Sequence, residues 1–470
     1  MRLGRIAAVL AMALIGAACA GADDDATTDA DSADSPAPTT QVAPPSTPDR
    51  AATEATAAFD RLIDEVVAGS FDTADVTEFS SNADARHAWL LSDLLRFVGD
   101  PVIVDTIVGE FDELTGTDLA GQVTQFTAWN ETTNRLIAWD TPAPPDYRRL
   151  KGRLFTLVEP RWAPFFDDAD ATIDWRWLSW GGVSIDDRPL GATTPCPAPG
   201  CIPSLDDPAL VAAADGGYYD DDSIVFGVVQ GDEAVAFPRN VMEIHEMVNI
   251  TIGDRRMGIP YCTLCGSAQA FYTDSVPAGM DTPVLRTSGL LSRSNKVMFD
   301  LLTMSAFDTF TGEAVSGPLL QSGVVLDQAT VTVTTWGEWK AAHPHTRIVA
   351  EDGGIGRDYP DDPLQGRDDD GPIFPIGDAD PRLPVQAAVV GVVLDDGTAV
   401  AFSVEALDEA ASTQPEGAQV ARLGSVAIVS TAGGYSAMDD DEPVAAHQAF
   451  WFAWSQFHPD TLLWSGDPAP

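Results

Sequence analysis

The stretch that decides the fold is SIVFGVVQGDEAVAFPRNVMEI, residues 223–244, because a similar stretch recurs as AAVVGVVLDDGTAVAFSVEALDE, residues 387–409. In both copies, two apolar runs flank a short polar turn, and a helix-like segment follows. Apolar runs rich in β-branched residues and separated by Gly and Asp are typical of a β-hairpin. We therefore predict two copies of a hairpin–helix unit in a β-rich domain.

The repeat continues into the segment with the most reactive side chains. MGIPYCTLCGSAQAF, residues 257–271, aligns with GSVAIVSTAGGYSAM, residues 424–438, when Gly266 is matched to Gly433. The second copy replaces three polar or reactive residues of the first with apolar ones: Cys262 by Val429, Cys265 by Ala432 and His245 by Ala410. Because the unit forms without these three residues, a functional site explains them better than the fold does.

The residues before the repeat predict a helical region followed by a connector. Within residues 50–142, apolar side chains recur at spacings of three and four, as in Phe59, Leu62 and Ile63, which is typical of amphipathic helices. Residues 143–217 are rich in Trp and Phe and predict an irregular connector that packs on a neighbouring domain. The predicted class is α+β, with a helical N-terminal region and a β-rich domain over residues 218–466 that contains the internal pseudo-repeat.

The N-terminus predicts export and a lipid anchor. Arg2 and Arg5 precede a short apolar run, and small residues lead into Cys19. This pattern, over residues 1–19, is typical of a lipoprotein signal peptide with Cys19 as the acylated residue. Cleavage without acylation would instead give a secreted protein. Residues 20–49 are rich in Asp, Ala, Thr and Pro and predict a disordered acidic tether.

The charge balance restricts the partners. The 470-residue chain has 72 acidic and 26 basic residues, a formal net charge of −46. Such a surface repels nucleic acid and anionic lipid headgroups, so we expect no nucleic-acid partner and membrane contact only through the lipid anchor. G-x-S-x-G, G-x-x-x-x-G-K and G-x-G-x-x-G do not occur. Whether the protein is an enzyme stays open.

Several motifs, in order, resemble one known family. HEMVN, YCTLCG, RTSGLLSRSNKVMFD, TWGEWKAAHP, GRDYPDDPL and FWFAWSQFHPDT are similar to those of the bacterial and archaeal domain of unknown function 3179 (DUF3179). The stretches WGGVSIDDRPLG and CIPSLDDPAL look like the long, actinobacterial-type lipoprotein members. One departure is Ile250, where the family commonly carries Asp. The resemblance implies the domain and the grouping of its motifs, but no activity.

The C-x-x-C motif Cys262–Cys265 is the first candidate site. Two thiols at this spacing can close a disulfide or hold one soft metal ion such as zinc or copper. With His245 on the short helix upstream, they would complete a Cys2His metal site or a redox site. Cys196 and Cys201 predict a local disulfide in a Pro-rich loop, or, pooled with Cys262 and Cys265, a four-thiolate zinc site.

A second candidate site is cationic. Arg286, Arg293 and Lys296 lie within eleven residues of a strongly acidic chain, and such a cluster can bind a carboxylate or phosphate. The alternative is that these cations pair with nearby acidic residues.

Two classes of function follow from these sites. One is an extracytoplasmic lipoprotein with a metal- or thiol-dependent site. The other is a non-catalytic surface module with structural disulfides, which binds a small molecule or a protein.

Overall fold

A computed structural model describes residues 43–367 and 371–466. The predicted signal peptide, Cys19 and most of the predicted tether lie outside these residues. The chain divides into two compact units. The first runs up to Ala169 and also includes Asp174–Trp177 and Phe374–Ala379; the second contains Asp170–Ile173, Leu178–Ile373 and the described residues from Asp380 onwards. Within the described residues, no helix is both long enough and apolar enough to cross a membrane.

The first unit is built from helices. They are α1 Glu54–Ala68, α2 Thr73–Ser81, α3 Ala88–Leu95, α4 Pro101–Thr115, α5 Ala128–Ala138, α6 Tyr147–Val158 and α7 Ala163–Asp167. The ends follow local chemistry: Asp100 accepts the first free N–H groups of α4, and Gly69 ends α1 in the left-handed region, where glycine carries no Cβ penalty. The apolar stripe predicted on α1 is buried, with Phe59 and Leu62 at most 1% exposed.

A buried ion pair holds two of these helices together. Lys151 on α6 places its ammonium 2.9 Å from the Asp93 carboxylate on α3. The hydroxyl of Tyr147 donates to the other oxygen of Asp93 at 2.8 Å, and Lys151 also donates to the carbonyl of Trp175 at 2.9 Å. Each charge is therefore neutralised and hydrogen-bonded, as burial requires.

The second unit contains the strands and the remaining helices. Its strands before residue 350 are β1 Leu178–Trp180, β2 Leu205–Asp206, β3 Leu210–Ala212, β4 Ile224–Gln230, β5 Glu233–Pro238, β6 Met247–Ile252, β7 Arg255–Cys262, β8 Ser267–Ala268, β9 Ala270–Tyr272, β10 Leu285–Ser292, β11 Asn295–Asp300, β12 Ala306–Asp308, β13 Asp327–Ala329, β14 Thr332–Thr335 and β15 Arg347–Val349. The later strands are β16 Ala388–Val393, β17 Ala399–Ser403, β18 Gln419–Leu423, β19 Val426–Thr431, β20 Gly434–Asp439, β21 Glu442–Val444, β22 His447–Phe450 and β23 Leu462–Trp464. The helices are α8 Arg239–His245, α9 Gly317–Gln321, α10 Trp336–Ala342, α11 Val404–Ala411 and α12 Trp451–Phe457.

These strands form five sheets. Their strand orders are β1-β10-β11-β12, β13-β9-β7-β6-β2 with β8 beside β7, β14-β4-β5-β15-β3, β22-β16-β17-β23 and β18-β19-β20-β21. A large apolar cluster lies between strands of the second and third sheets, and includes Phe226, Phe237 and Ile259. The predicted α+β class is confirmed.

The pseudo-repeat fits loosely. The predicted hairpins are β4–β5 and β16–β17, each followed by a short helix and two further strands. In both sheets, the outer strand β14 or β22 runs antiparallel to the hairpin, and β15 or β23 adds in parallel on the other side. Gly227 and Gly391 occupy the same place under a tryptophan: a Cβ there would lie 2.2 Å from Trp339 and 2.0 Å from Trp454.

The predicted connector is more regular than expected. Residues 143–217 contain the whole of α6 and α7 as well as β1, β2 and β3. Tyr147, Leu154 and Phe155 on α6 are buried in the helical unit. In α6 the helical signal is present, since Tyr147, Leu150 and Leu154 recur at spacings of three and four, so the helical region extends beyond residue 142.

Candidate functional site

The two cysteines of the Pro-rich loop are bonded to each other. Cys196 and Cys201 form a disulfide, with their Cα atoms 5.4 Å apart. The four-thiolate zinc alternative is therefore not built, since two of its four sulfurs are already used. The carboxylate of Asp186 lies within 4.8 Å of these sulfurs, but Arg188 binds that carboxylate at 2.7 Å, so the group is not open to a metal ion.

Cys262 and Cys265 are free thiols in contact with each other. Cys262 ends β7, and a single 3₁₀ turn, Thr263–Cys265, leads to Gly266 in the left-handed region. The turn brings the two Sγ atoms to 2.8 Å, and the Cys265 thiol donates to the carbonyl of Ser294 at 3.1 Å. Cys262 is 5% and Cys265 0% exposed. Burial, and then contact with Cys262, raise the pKa of Cys265.

An ion pair lies beside the thiols. The ammonium of Lys296 is 2.9 Å from the carboxylate of Glu246 and also donates to the Glu246 carbonyl. The hydroxyl of Thr263, inside the thiol turn, donates to the same carboxylate at 3.1 Å. The Glu246 charge raises the pKa of Cys265 and that of Lys296 lowers it. The two charges of the pair therefore act on Cys265 in opposite directions.

His245 faces away from the thiols. One ring nitrogen, Nδ1, is 2.5 Å from the carbonyl of Pro203, and the other, Nε2, is 2.8 Å from the hydroxyl of Tyr359. Burial lowers the pKa of His245 to about 4, so the ring is neutral at pH 7. Since a carbonyl only accepts, Nδ1 carries the proton and donates to Pro203, and Nε2 accepts from the Tyr359 hydroxyl.

The predicted Cys2His site is not assembled. Among residues 43–367 and 371–466, no set of three potential ligand atoms within 4.8 Å of one another contains His245 with Cys262 and Cys265. The two thiols therefore lack the further nitrogen or carboxylate ligands that a tetrahedral zinc site requires. Two sulfurs alone can hold copper(I) only in a two-coordinate arrangement.

The three predicted anion-binding cations do not face a common space. Arg286 is 1% exposed, and its guanidinium grips Asp206 with two bonds of 2.8 and 2.7 Å. Lys296 is held by Glu246, and Arg293 lies 5.8 Å from the ring of Phe457. The clustered-cation hypothesis is therefore corrected: each side chain meets a different neighbour, Arg286 from β10, Lys296 from β11 and Arg293 from the turn between them.

A pocket of about 440 Å³, which His245 helps to line, lies in the β-rich unit. Its walls come from three separate segments of the β-rich unit: residues 188–195, residues 203–206 and residues 355–357. Two groups in it have free hydrogen-bonding capacity among the described residues. The hydroxyl of Ser204 is buried without a hydrogen bond. The exposed guanidinium of Arg357 forms no ion pair with a described residue and lies 6.0 Å from the centre of the Tyr359 ring.

On one side of this pocket, the charged side chains are already bonded to other residues. Arg188 uses its guanidinium on Asp186 and on the carbonyls of Ala192, Thr194 and Ser204. Asp206 receives Arg286, the backbone N–H of Gly191 at 2.7 Å and the amide of Asn249 at 3.0 Å. These groups hold the loops in place and have no free bonding capacity.

The motif family can now be placed on this geometry. A family model described as "Protein of unknown function (DUF3179)" matches residues 199–442. This chain belongs to the DUF3179 family. Neither the curated proteins nor the solved structures contain a match. The matched region includes the thiol pair, His245 and most of the pocket, so both candidate sites belong to the DUF3179 domain.

Sequence reasoning missed most of the pocket. Arg188, Ser204, Asp206, Arg357 and Tyr359 were not predicted as site residues. All five lie in the quoted stretches WGGVSIDDRPLG, CIPSLDDPAL and GRDYPDDPL, and Arg357 is the second residue of the last of these. The sequence did offer one signal, since each of three separate loops contains Asp together with other polar, charged or aromatic residues. The positions of these loops along the chain, however, do not indicate that they meet in the fold.

Proposed function

We propose that this protein is an extracytoplasmic lipoprotein that binds a small organic anion in the His245 pocket. The observation that carries the proposal is that a buried hydroxyl without a partner, Ser204, and an unpaired guanidinium, Arg357, border the same cavity. A buried polar group without a partner is destabilising by about 1–3 kcal/mol. A bound ligand that accepts a hydrogen bond from Ser204 would remove that cost.

The charge around the pocket favours an anion. Asp186 and Asp206 are each matched by an arginine, Arg188 and Arg286. Once these pairs cancel, Arg357 is the remaining charge on the pocket wall, and both Arg357 and Arg188 lower the pKa of His245. A carboxylate is the natural partner for a guanidinium because two parallel N–H···O bonds can form.

Binding suits this pocket better than catalysis. The volume of about 440 Å³ is in the range of small-molecule sites. His245 is neutral, but both its nitrogens are engaged by Pro203 and Tyr359, so it can act as a base on a ligand only by giving up a bond. The thiols do not line this pocket, and burial raises the pKa of Cys265, so they supply no nucleophile for a ligand bound beside His245.

Titration calorimetry with small carboxylates tests the pocket. We expect succinate to bind and its uncharged analogue succinamide to bind far more weakly. Arg357→Gln should weaken succinate binding about 10- to 100-fold, since a charged hydrogen bond contributes roughly 1.5–3 kcal/mol. Ser204→Ala should weaken it about 5-fold, as expected for one neutral bond of about 1 kcal/mol.

A matched control lies in the same loop. Arg367 is exposed and contacts the Leu364 carbonyl rather than the pocket, so Arg367→Gln should bind succinate like the wild type. Equal affinity for succinate and succinamide, no binding of either, or equal weakening by the Arg357 and Arg367 variants would contradict the proposal.

The location of the protein is part of the same proposal. A disulfide in a short loop, Cys196–Cys201, suits an oxidising compartment outside the cytoplasm. The Cys19 signal and the acidic tether of residues 20–49 would hold the pocket at a distance from the membrane surface. In this arrangement the ligand reaches the pocket from the extracellular medium.

A further inference from the structure

We infer that Cys262 and Cys265 form a reversible dithiol–disulfide couple that exchanges two electrons with a small disulfide. This inference concerns a second site and is independent of ligand binding in the His245 pocket. The geometry that carries it is the 2.8 Å separation of the two Sγ atoms across a single turn. A disulfide bond needs about 2.05 Å, so closing the bond requires a movement of less than an ångström.

The turn that carries the thiols is particular to the first half of the repeat. There Cys262 pairs with Ser267, so residues 263–266 connect β7 to β8. In the second half, β19 runs through Val429 to Thr431, and the two residues 432–433 lead into β20. The longer turn of the first half is the element that brings the sulfurs of Cys262 and Cys265 together.

The surroundings favour a sulfur–sulfur bond over a metal ion. Among the described residues, no histidine or carboxylate lies within 4.8 Å of both sulfurs to complete a metal-ligand set. Glu246, whose charge acts on Cys265, is already bonded to Lys296 and Thr263. The Cys265 thiol donates to a backbone carbonyl, that of Ser294.

The order of attack follows from exposure. Cys262 is 5% exposed and Cys265 is fully buried, so the Cys262 sulfur, as thiolate, attacks one sulfur of the small disulfide. This forms a mixed disulfide and releases one thiol. The Cys265 sulfur then displaces the second thiol and closes the Cys262–Cys265 bond. In total, two protein thiols and one small disulfide become one protein disulfide and two small thiols, and the two protons end on the released thiols.

Packing limits which oxidants can react. A Cβ on Gly266 would lie 3.0 Å from the ring of Phe450, so this ring covers the thiol turn. A small disulfide can reach Cys262 when the turn opens briefly, whereas a folded protein oxidant meets the ring first. Phe450→Ala should therefore speed oxidation by a small disulfide without changing its product.

Mass spectrometry of the full chain tests the couple with oxidised glutathione as the probe. After incubation, the protein is unfolded and alkylated, and peptide mapping assigns each label, so that Cys19 is scored separately. We expect Cys262 and Cys265 to take a label each before oxidation, to lose both labels after it, and to regain both after dithiothreitol. The oxidised peptide should be lighter by two hydrogen atoms. Cys196 and Cys201 should stay unlabelled until the reductant is added.

Variants separate the two steps. Cys265→Ser removes the resolving sulfur, so Cys262 should keep a stable glutathione adduct in this variant. If this variant does not fold, the labelling of the wild type before and after oxidation still tests the inference by itself. Thiols that still take both labels after oxidation, a lasting glutathione adduct on wild-type Cys262, or a zinc or copper ion bound stoichiometrically and shielding the thiols would each overturn the inference.

Discussion

Replacing His245 with Gln should make the fold less sensitive to acid. Burial lowers the pKa of His245 from 6.5 to about 4, because the imidazole sits between Pro203 and Tyr359 and has little contact with water. Between these pH values the unfolded chain binds a proton that the folded protein does not bind. The folded-state pKa is the lower one. The stability that comes from keeping His245 neutral is therefore complete above pH 6.5 and is lost as the pH falls towards 4.

The magnitude follows from the two pKa values. At ~1.4 kcal/mol per pH unit, the interval between 6.5 and about 4 corresponds to a loss of roughly 3 kcal/mol when complete and about 2 kcal/mol at pH 5. His447 and His458 also have lowered pKa values, about 3 and about 4, because they are buried. Their contributions are common to the wild type and to His245→Gln and therefore cancel in the difference between the two proteins.

Urea unfolding followed by tryptophan fluorescence at pH 7.5 and pH 5 measures the effect. The wild type should lose about 2 kcal/mol more than His245→Gln between these two pH values. The amide of Gln can still bond Pro203 or Tyr359, so the variant should fold. His345 is exposed, and His345→Gln should keep the wild-type loss. An equal loss in the wild type and in His245→Gln would refute the assignment of a neutral buried imidazole.

Three further perturbations have defined outcomes. Gly227→Ala places a Cβ 2.2 Å from the buried ring of Trp339, and this overpacking should destabilise the fold by about 1–3 kcal/mol in thermal unfolding; an unchanged melting temperature would show that the ring can move. Lys151→Met leaves the Asp93 carboxylate buried without its cation and should cost about 3–5 kcal/mol, part of which Asp93→Asn should restore in the double variant. Cys19→Ala should move the protein from the detergent phase to the aqueous phase, and unchanged partitioning would place the anchor elsewhere.

The local units of the fold could be predicted from the sequence. The apolar runs of β4 and β5 and the spacing on α1 are short-range patterns, and these elements form where the patterns indicate. The grouping of strands into five sheets could not be predicted in this way. For example, β15 joins β5 in parallel across more than a hundred residues, and no local spacing encodes such a pairing.

The candidate site shows where local reasoning fails. His245 and Glu246 are neighbours in the chain, but Glu246 ends α8 with a left-handed backbone, φ 49°. The turn sends the two side chains to different places, the imidazole to Pro203 and Tyr359 and the carboxylate to Lys296. The number of residues between His245 and the thiols therefore does not predict whether they make contact, because the backbone turn at Glu246 sets the direction in which each side chain points.

The ion pair of Arg286 illustrates the same limit for charges. Its partner, Asp206, lies 80 residues earlier in the chain, whereas sequence reasoning considers acidic residues close by. Since a buried guanidinium requires a carboxylate, the burial of Arg286 could have been turned into a search for a distant partner. The choice of Asp206 depends on the pairing of β2 with β6, which only the fold determines.

The two halves of the pseudo-repeat separate scaffold from site. In each half a tryptophan covers a strand glycine, and its indole N–H donates to a threonine: Trp339 to Thr346 at 2.8 Å and Trp454 to Thr461 at 3.0 Å. Residues present in both halves therefore hold the hairpin, helix and parallel strand together. The thiol pair has no counterpart at the aligned positions of the second half. The turn there is also shorter, two residues against four, so the thiol turn belongs to the site and not to the scaffold that the two halves share.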